Sequence, residues 1–88
     1  MKPSAKIMLI DDDESLHVLV KRLMDDAGYA FCSAYGGEEG LRALAAEKPD
    51  LLLLDVMMPG MNGFDVCRAI RRGQVPVPGG ADLRILML

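Results

Sequence analysis

Hydrophobic residues recur in this chain in two distinct rhythms. Short apolar runs stand at Ile7–Ile10, Tyr29–Ala34, Leu51–Leu54 and Leu83–Leu88, and longer stretches with helical spacing separate them. The Leu51–Leu54 run, bounded by Asp50 and Asp55, reads as a strand buried on both faces, of the kind found inside a parallel sheet. Between the first two runs, Leu16, Leu19, Val20, Leu23, Met24 and Ala27 share one helical face. Lys21, Arg22, Asp25 and Asp26 cover the other, and Gly28 supplies a helix stop. Glu38–Glu47 reads as a second helix, weakened by Gly40, with Leu41, Leu44 and Ala45 facing inward and Lys48-Pro49 ending it. Asn62 is placed to cap a third helix from Gly63 to about Arg72, with Phe64, Cys67 and Ile70 or Val66 on its buried side. Gly73–Asp82, carrying Pro76, Pro78, Gly79 and Gly80, reads as a loop longer than such connections usually are. The order β-α-β-α-β-α-β predicts an α/β fold, with right-handed crossovers placing helices on both faces of a parallel sheet.

The acidic residues change the picture at the ends of two of these strands. Asp55 follows the last leucine of its run, and Pro59-Gly60 then breaks the chain sharply. The first run likewise ends in Asp11-Asp12-Asp13-Glu14. If the two strands are parallel neighbours, Asp11, Asp12 and Asp55 converge at the carboxyl edge of the sheet, where ligands gather in open parallel sheets. Carboxylates that close repel one another and need a cation or raised pKa values to coexist. Hard oxygen donors with open positions left for water and phosphate suit Mg²⁺. Asp13 or Glu14 also suits the start of the following helix, as N-cap or first-turn acid. For Asp11 and Asp12, capping and metal binding are equal readings on the residues alone.

The acidic doublet after the first strand, taken with Asp50–Gly63 as DLLLLDVMMPGMNG, resembles the receiver domain of two-component response regulators. The likeness extends over essentially the whole chain, through Gly28-Tyr29 and Gly36–Leu41. It implies a flavodoxin-like, doubly wound parallel sheet of strand order 2-1-3-4, lacking the family's last helix-strand-helix portion. Residues 1–88 would then form one unit, the N-terminal part of the usual domain. The resemblance assigns Asp55 as phosphoacceptor from a histidine kinase or phosphotransfer protein, with the transfer switching signalling interactions. It assigns Mg²⁺, or Mn²⁺ in its place, to Asp12 and Asp55, to Asp11 mainly through water, and to the backbone carbonyl of Met57. The family's switch Ser/Thr and phosphate-pairing lysine have no counterpart here; Leu83–Leu88 ends where the former should begin.

Composition narrows the alternatives. A chain of 88 residues allows a single domain with a small stability margin. A net charge of −3, and no basic patch with interleaved aromatics, argue against nucleic-acid binding by this segment. Arg68, Arg71 and Arg72 read as the solvated face and last turn of a helix. Cys32 and Cys67 read as buried free thiols, and His17, off the helical stripe, as a surface residue. With no signal peptide or membrane span, the expected location is the cytoplasm. A phosphatase working through an aspartyl phosphate would want a second acid where Met57 stands, and no glycine-rich phosphate loop follows any strand. The competing reading is a truncated or pseudo-receiver module, dimerising through an exposed fourth strand and carrying no efficient phosphoryl transfer.

Overall fold

The computed structural model describes residues 4–74 and 82–88. Its elements are β1 (Lys6–Ile10), α1 (Glu14–Ala27), β2 (Ala30–Ala34), α2 (Gly37–Glu47), β3 (Leu51–Leu54), α3 (Gly63–Arg71) and β4 (Arg84–Met87). The strands form one parallel sheet in the order β2-β1-β3-β4, as the sequence led us to expect. The predicted loop at Gly73–Asp82 falls in large part on residues 75–81, which lie outside the described residues.

Local chemistry sets the helix ends. Asp13 caps α1, its Oδ1 accepting from the N–H groups of Ser15 and Leu16. Gly28 closes α1 at φ 86°, a left-handed conformation that a Cβ would penalise. Asn62 and Asp65 form a reciprocal capping box at the start of α3. The αL residue that ends α2 is Lys48, at φ 52°.

Strand alternation divides the core in two. Met8, Ile10, Leu52 and Leu54 point to one face, where they pack with Leu44 of α2 and with Val66 and Ile70 of α3. Ile7 and Leu9 have the opposite parity and are also buried, on the face that α1 partly covers. Leu51 and Leu53 share that second face but are only half-buried, so the expectation of a strand enclosed on both sides is corrected. The reason is local: α1 lies against β2 and leaves β3 and β4 thinly covered on this side. Its own stripe is open as well, with Leu19 and Leu23 more than half exposed.

Two further expectations need correction. Phe64 is exposed; α3 buries Val66 and Ile70, as expected, and with them Ala69. His17 is the buried residue of α1, 3% exposed, since it faces β2 rather than solvent. Cys32 and Cys67 are free, as expected, but half-buried. Burial, with a smaller contribution from Glu47, pushes the Cys32 thiol up to about 11, which leaves it protonated and unreactive at neutral pH. Gly40 does not merely weaken α2. It lies where a Cβ would come within 2.4 Å of Ile10 Cδ1, so its absence lets the helix settle onto β1.

Candidate functional site: an acidic cluster at the carboxyl edge of the sheet

Register brings the acids together. Ile10 pairs with Leu54 across β1 and β3, so the next residues, Asp11 and Asp55, leave the sheet side by side. The ladder continues into the loop, with the Asp55 N–H donating to the Ile10 carbonyl at 2.9 Å. On the opposite side the Asp11 N–H donates to the Ala34 carbonyl of β2 at 3.2 Å. Asp11, Asp12 and Asp55 each offer a carboxylate oxygen, and these oxygens lie within 4.8 Å of one another. The cluster grades from inside to outside: Asp11 is buried, Asp55 half-buried and Asp12 exposed.

Each carboxylate sits in a different local frame. Asp11 Oδ1 accepts from the Asp13 N–H at 2.8 Å, a tight turn that folds the chain from β1 into α1. Helix capping falls to Asp13, so the other two acids of the β1–α1 loop do not cap the helix. Asp55 Oδ1 accepts from the Met57 N–H at 3.1 Å, which sets the orientation of its carboxylate. The Met57 side chain projects into solvent, 81% exposed, so any part it plays here belongs to its backbone.

The loop after Asp55 is held from behind. The Gly63 N–H donates to the Val56 carbonyl at 3.0 Å, closing the β3–α3 loop onto the start of α3. A Cβ on Gly63 would lie 2.3 Å from the Asp55 carbonyl oxygen and 2.9 Å from Val56 Cα. Only glycine permits this approach of α3 to the backbone of Asp55 and Val56.

Electrostatics register the crowding. Burial raises the Asp11 carboxyl above its ordinary value, and the charges of Asp55 and Asp12 raise it further. The Asp13 N–H and His17 act in the opposite direction without cancelling the rise. A site that disfavours its own ionised carboxylate stabilises a cation when one binds. Three carboxylate oxygens, one of them on an exposed residue, make an incomplete shell of hard donors. That set suits Mg²⁺, which retains several waters, better than a metal requiring an all-protein cage.

The sequence thus pointed to the residues that the fold brings together at this edge. It missed the parts that hold them. Gly63 stood in the sequence as the first residue of a helix, with nothing to announce a backbone contact at Asp55. His17 was expected at the surface because hydrophobic spacing finds apolar stripes, and a histidine buried through hydrogen bonds leaves no such trace. Its Nε2 lies 2.7 Å from the Asp11 carbonyl oxygen and its Nδ1 lies 2.8 Å from Ser33 Oγ.

Comparison with known proteins accords with this geometry. The family described as response regulator receiver domain matches residues 7–87. The transcriptional regulatory protein AfsQ1 of Streptomyces coelicolor is 42% identical over 72 residues, a match covering 81% of this chain and 32% of AfsQ1. This chain therefore spans about a third of the length of the curated relatives it matches. Among solved structures, the N-terminal domain of a response regulator receiver protein from Methanoculleus marisnigri superposes with a TM-score of 0.86 at 34% identity, over 94% of this chain and 64% of that one. The response regulator TrrA of Thermotoga maritima, solved in complex with Mg²⁺-BeF, superposes with a TM-score of 0.73 at 34% identity, over 77% of this chain and 59% of that one. A parallel sheet of order 2-1-3-4 with acids gathered at its carboxyl edge, matched by that family along nearly its whole length, makes this chain a member of the response regulator receiver domains of two-component systems.

Proposed function

We propose that this receiver domain accepts a phosphoryl group on Asp55 from a histidine kinase or phosphotransfer protein, in a reaction that needs Mg²⁺. Receiver domains as a class bind Mg²⁺ at an acidic pocket and take phosphoryl groups from histidine kinases. The observation that carries the reading to these residues is the convergence of the Asp11, Asp12 and Asp55 carboxylates within 4.8 Å. The related TrrA was solved with Mg²⁺-BeF, and that likeness supports the same class of ligand here.

In this reading Asp55 is the nucleophile. One carboxylate oxygen attacks the phosphorus of a phosphohistidine in line, a P–O bond forms, and the P–N bond breaks. The electron pair returns to the imidazole nitrogen, which takes its proton from solvent. The Met57 N–H orients the attacking carboxylate through its bond to Oδ1. Asp11, Asp12, Asp55 and the Met57 carbonyl would hold the cation, which neutralises charge as two anions approach. Mn²⁺, of similar ligand preference, substitutes for it. The domain acts as a phosphorylated signalling switch rather than as an enzyme on external substrates, and it works in the cytoplasm. Residues 1–88 make up the first part of a receiver domain, in keeping with their 64% coverage of the M. marisnigri structure.

Incubation with acetyl phosphate and Mg²⁺, read by intact mass, tests the assignment. One added phosphate is expected on the wild-type chain and none on Asp55→Asn, whose amide is no such nucleophile. An adduct that persists in the variant and maps to Asp11 or Asp12 would refute it.

A second reading, an interaction module that dimerises without efficient phosphoryl transfer, is favoured by one observation. Among the described residues, β4 stands at the edge of the sheet with Leu86 and Leu88 exposed.

A further inference from the structure

We infer that His17 is a positioning residue for the metal site, fixing the peptide that joins Asp11 to Asp12. This rests on the reading of those acids as cation ligands. The Asp11 carbonyl oxygen can only accept, so His17 Nε2, at 2.7 Å, must be the donor. In the neutral ring Nδ1 is then the acceptor, and it receives the Ser33 hydroxyl at 2.8 Å. The imidazole is therefore tethered at both nitrogens, to the β1–α1 loop on one side and to β2 on the other.

The consequence lies in the planarity of the peptide unit. The Asp11 carbonyl and the Asp12 N–H belong to one rigid plane, so a bond that fixes the carbonyl also sets the direction in which Asp12 leaves it. Asp11 is already held on its other side by its N–H bond to Ala34 and through its carboxylate by the Asp13 N–H. The His17 bond supplies the remaining constraint. Asp12 is exposed whereas Asp11 is buried, so its direction depends on this plane more than that of Asp11 does. Tyr35 lies over the imidazole at a centroid distance of 4.3 Å, tilted by 41°, and helps to keep the ring in place.

Two substitutions of similar polarity separate this role from a structural one. A glutamine amide nitrogen reaches the position of Nε2 and can donate to the Asp11 carbonyl, while giving up Ser33. An asparagine amide reaches the position of Nδ1 and keeps Ser33, while giving up Asp11. Mg²⁺ is titrated into the 88-residue wild type, His17→Gln and His17→Asn, and the dissociation constant is read from amide shifts of Asp12, Asp13 and Asp55. We expect His17→Gln to bind within about twofold of wild type and His17→Asn to bind about tenfold more weakly, the range in which removing a ligand's supporting bond falls. Thermal melts without metal accompany the titration, and the two variants should lose similar stability there, since each loses one hydrogen bond. Equal Mg²⁺ affinity in wild type and His17→Asn overturns the inference alone, as does an equal loss in both variants. Failure of the wild type to bind Mg²⁺ overturns the metal reading, and this inference falls with it.

Discussion

Replacing Gly63 by alanine should injure the site without touching any of its acids. The new Cβ would start 2.3 Å from the Asp55 carbonyl oxygen, 3.0 Å from the Asp55 carbonyl carbon and 2.9 Å from Val56 Cα, where ordinary contact begins at 3.4 Å. All three neighbours are backbone, so no flexible side chain can swing away. Either the β3–α3 loop or the start of α3 must retreat by about 1 Å, and the 3.0 Å bond from the Gly63 N–H to Val56 resists that movement. Overpacking of this kind costs about 1–3 kcal/mol, against a helix-propensity gain for alanine of at most about 1 kcal/mol at this first helical position. A net loss of about 2 kcal/mol corresponds to a drop in melting temperature of roughly 10 °C for a domain of this size. The displacement falls on the residue that carries the proposed nucleophile, and a misplacement of about 1 Å can slow a positioned reaction about a hundredfold. The assay is phosphorylation by acetyl phosphate, followed by mass against time, at a temperature where both chains are folded. Gly36→Ala is the control, because a Cβ there meets nothing within 4 Å and its φ of −163° suits any residue. If Gly63→Ala melts and phosphorylates as the wild type does, the close approach does not position Asp55.

Other perturbations test the electrostatics and the open edge. The folded-state pKa of Asp11 is raised above its ordinary value near 3.8, so the native state binds this proton more tightly than the unfolded chain. The resulting stability is complete below 3.8 and is lost as pH rises through the folded value. Without metal, Asp11→Asn should therefore be more stable than wild type at pH 7 and should lack this component of the pH dependence; Mg²⁺ should reverse the order by stabilising the wild type. Parallel pH–stability curves for the two chains in chelator would show that Asp11 is not destabilised by its surroundings. At the sheet edge, sedimentation at micromolar concentration should show self-association of the wild type that Leu86→Lys abolishes, since the exposed β4 then carries a charge against a pairing strand. A wild type that stays monomeric at every concentration rules out β4 as a dimer interface.

What the sequence alone determined is whatever depends on residues near one another in the chain. The Leu51–Leu54 run specifies a central strand by its own hydrophobicity. Asp13, Gly28 and Asn62 specify helix ends through bonds or backbone angles that involve residues only a few positions away. The acidic pair after β1 and the acid after β3 were also readable, because consecutive parallel strands joined by helices must release their next residues at the same edge. Periodicity tells which residues share a face and is silent on what covers that face. Hence Leu51 and Leu53 are half-buried, Leu19 and Leu23 are exposed despite their stripe, and Phe64 lies outside while Ala69 lies within. Only the tertiary structure could decide these, since burial is a property of neighbours contributed by distant segments. The same holds for the fine control of the site. That His17 spans from the Asp11 carbonyl to Ser33, and that Gly63 rests on the backbone of Asp55, follow from how α1 meets β2 and how α3 meets the β3–α3 loop. Hydrogen bonds and close approaches between segments are set in three dimensions, and a one-dimensional pattern of apolar and polar residues carries no record of them.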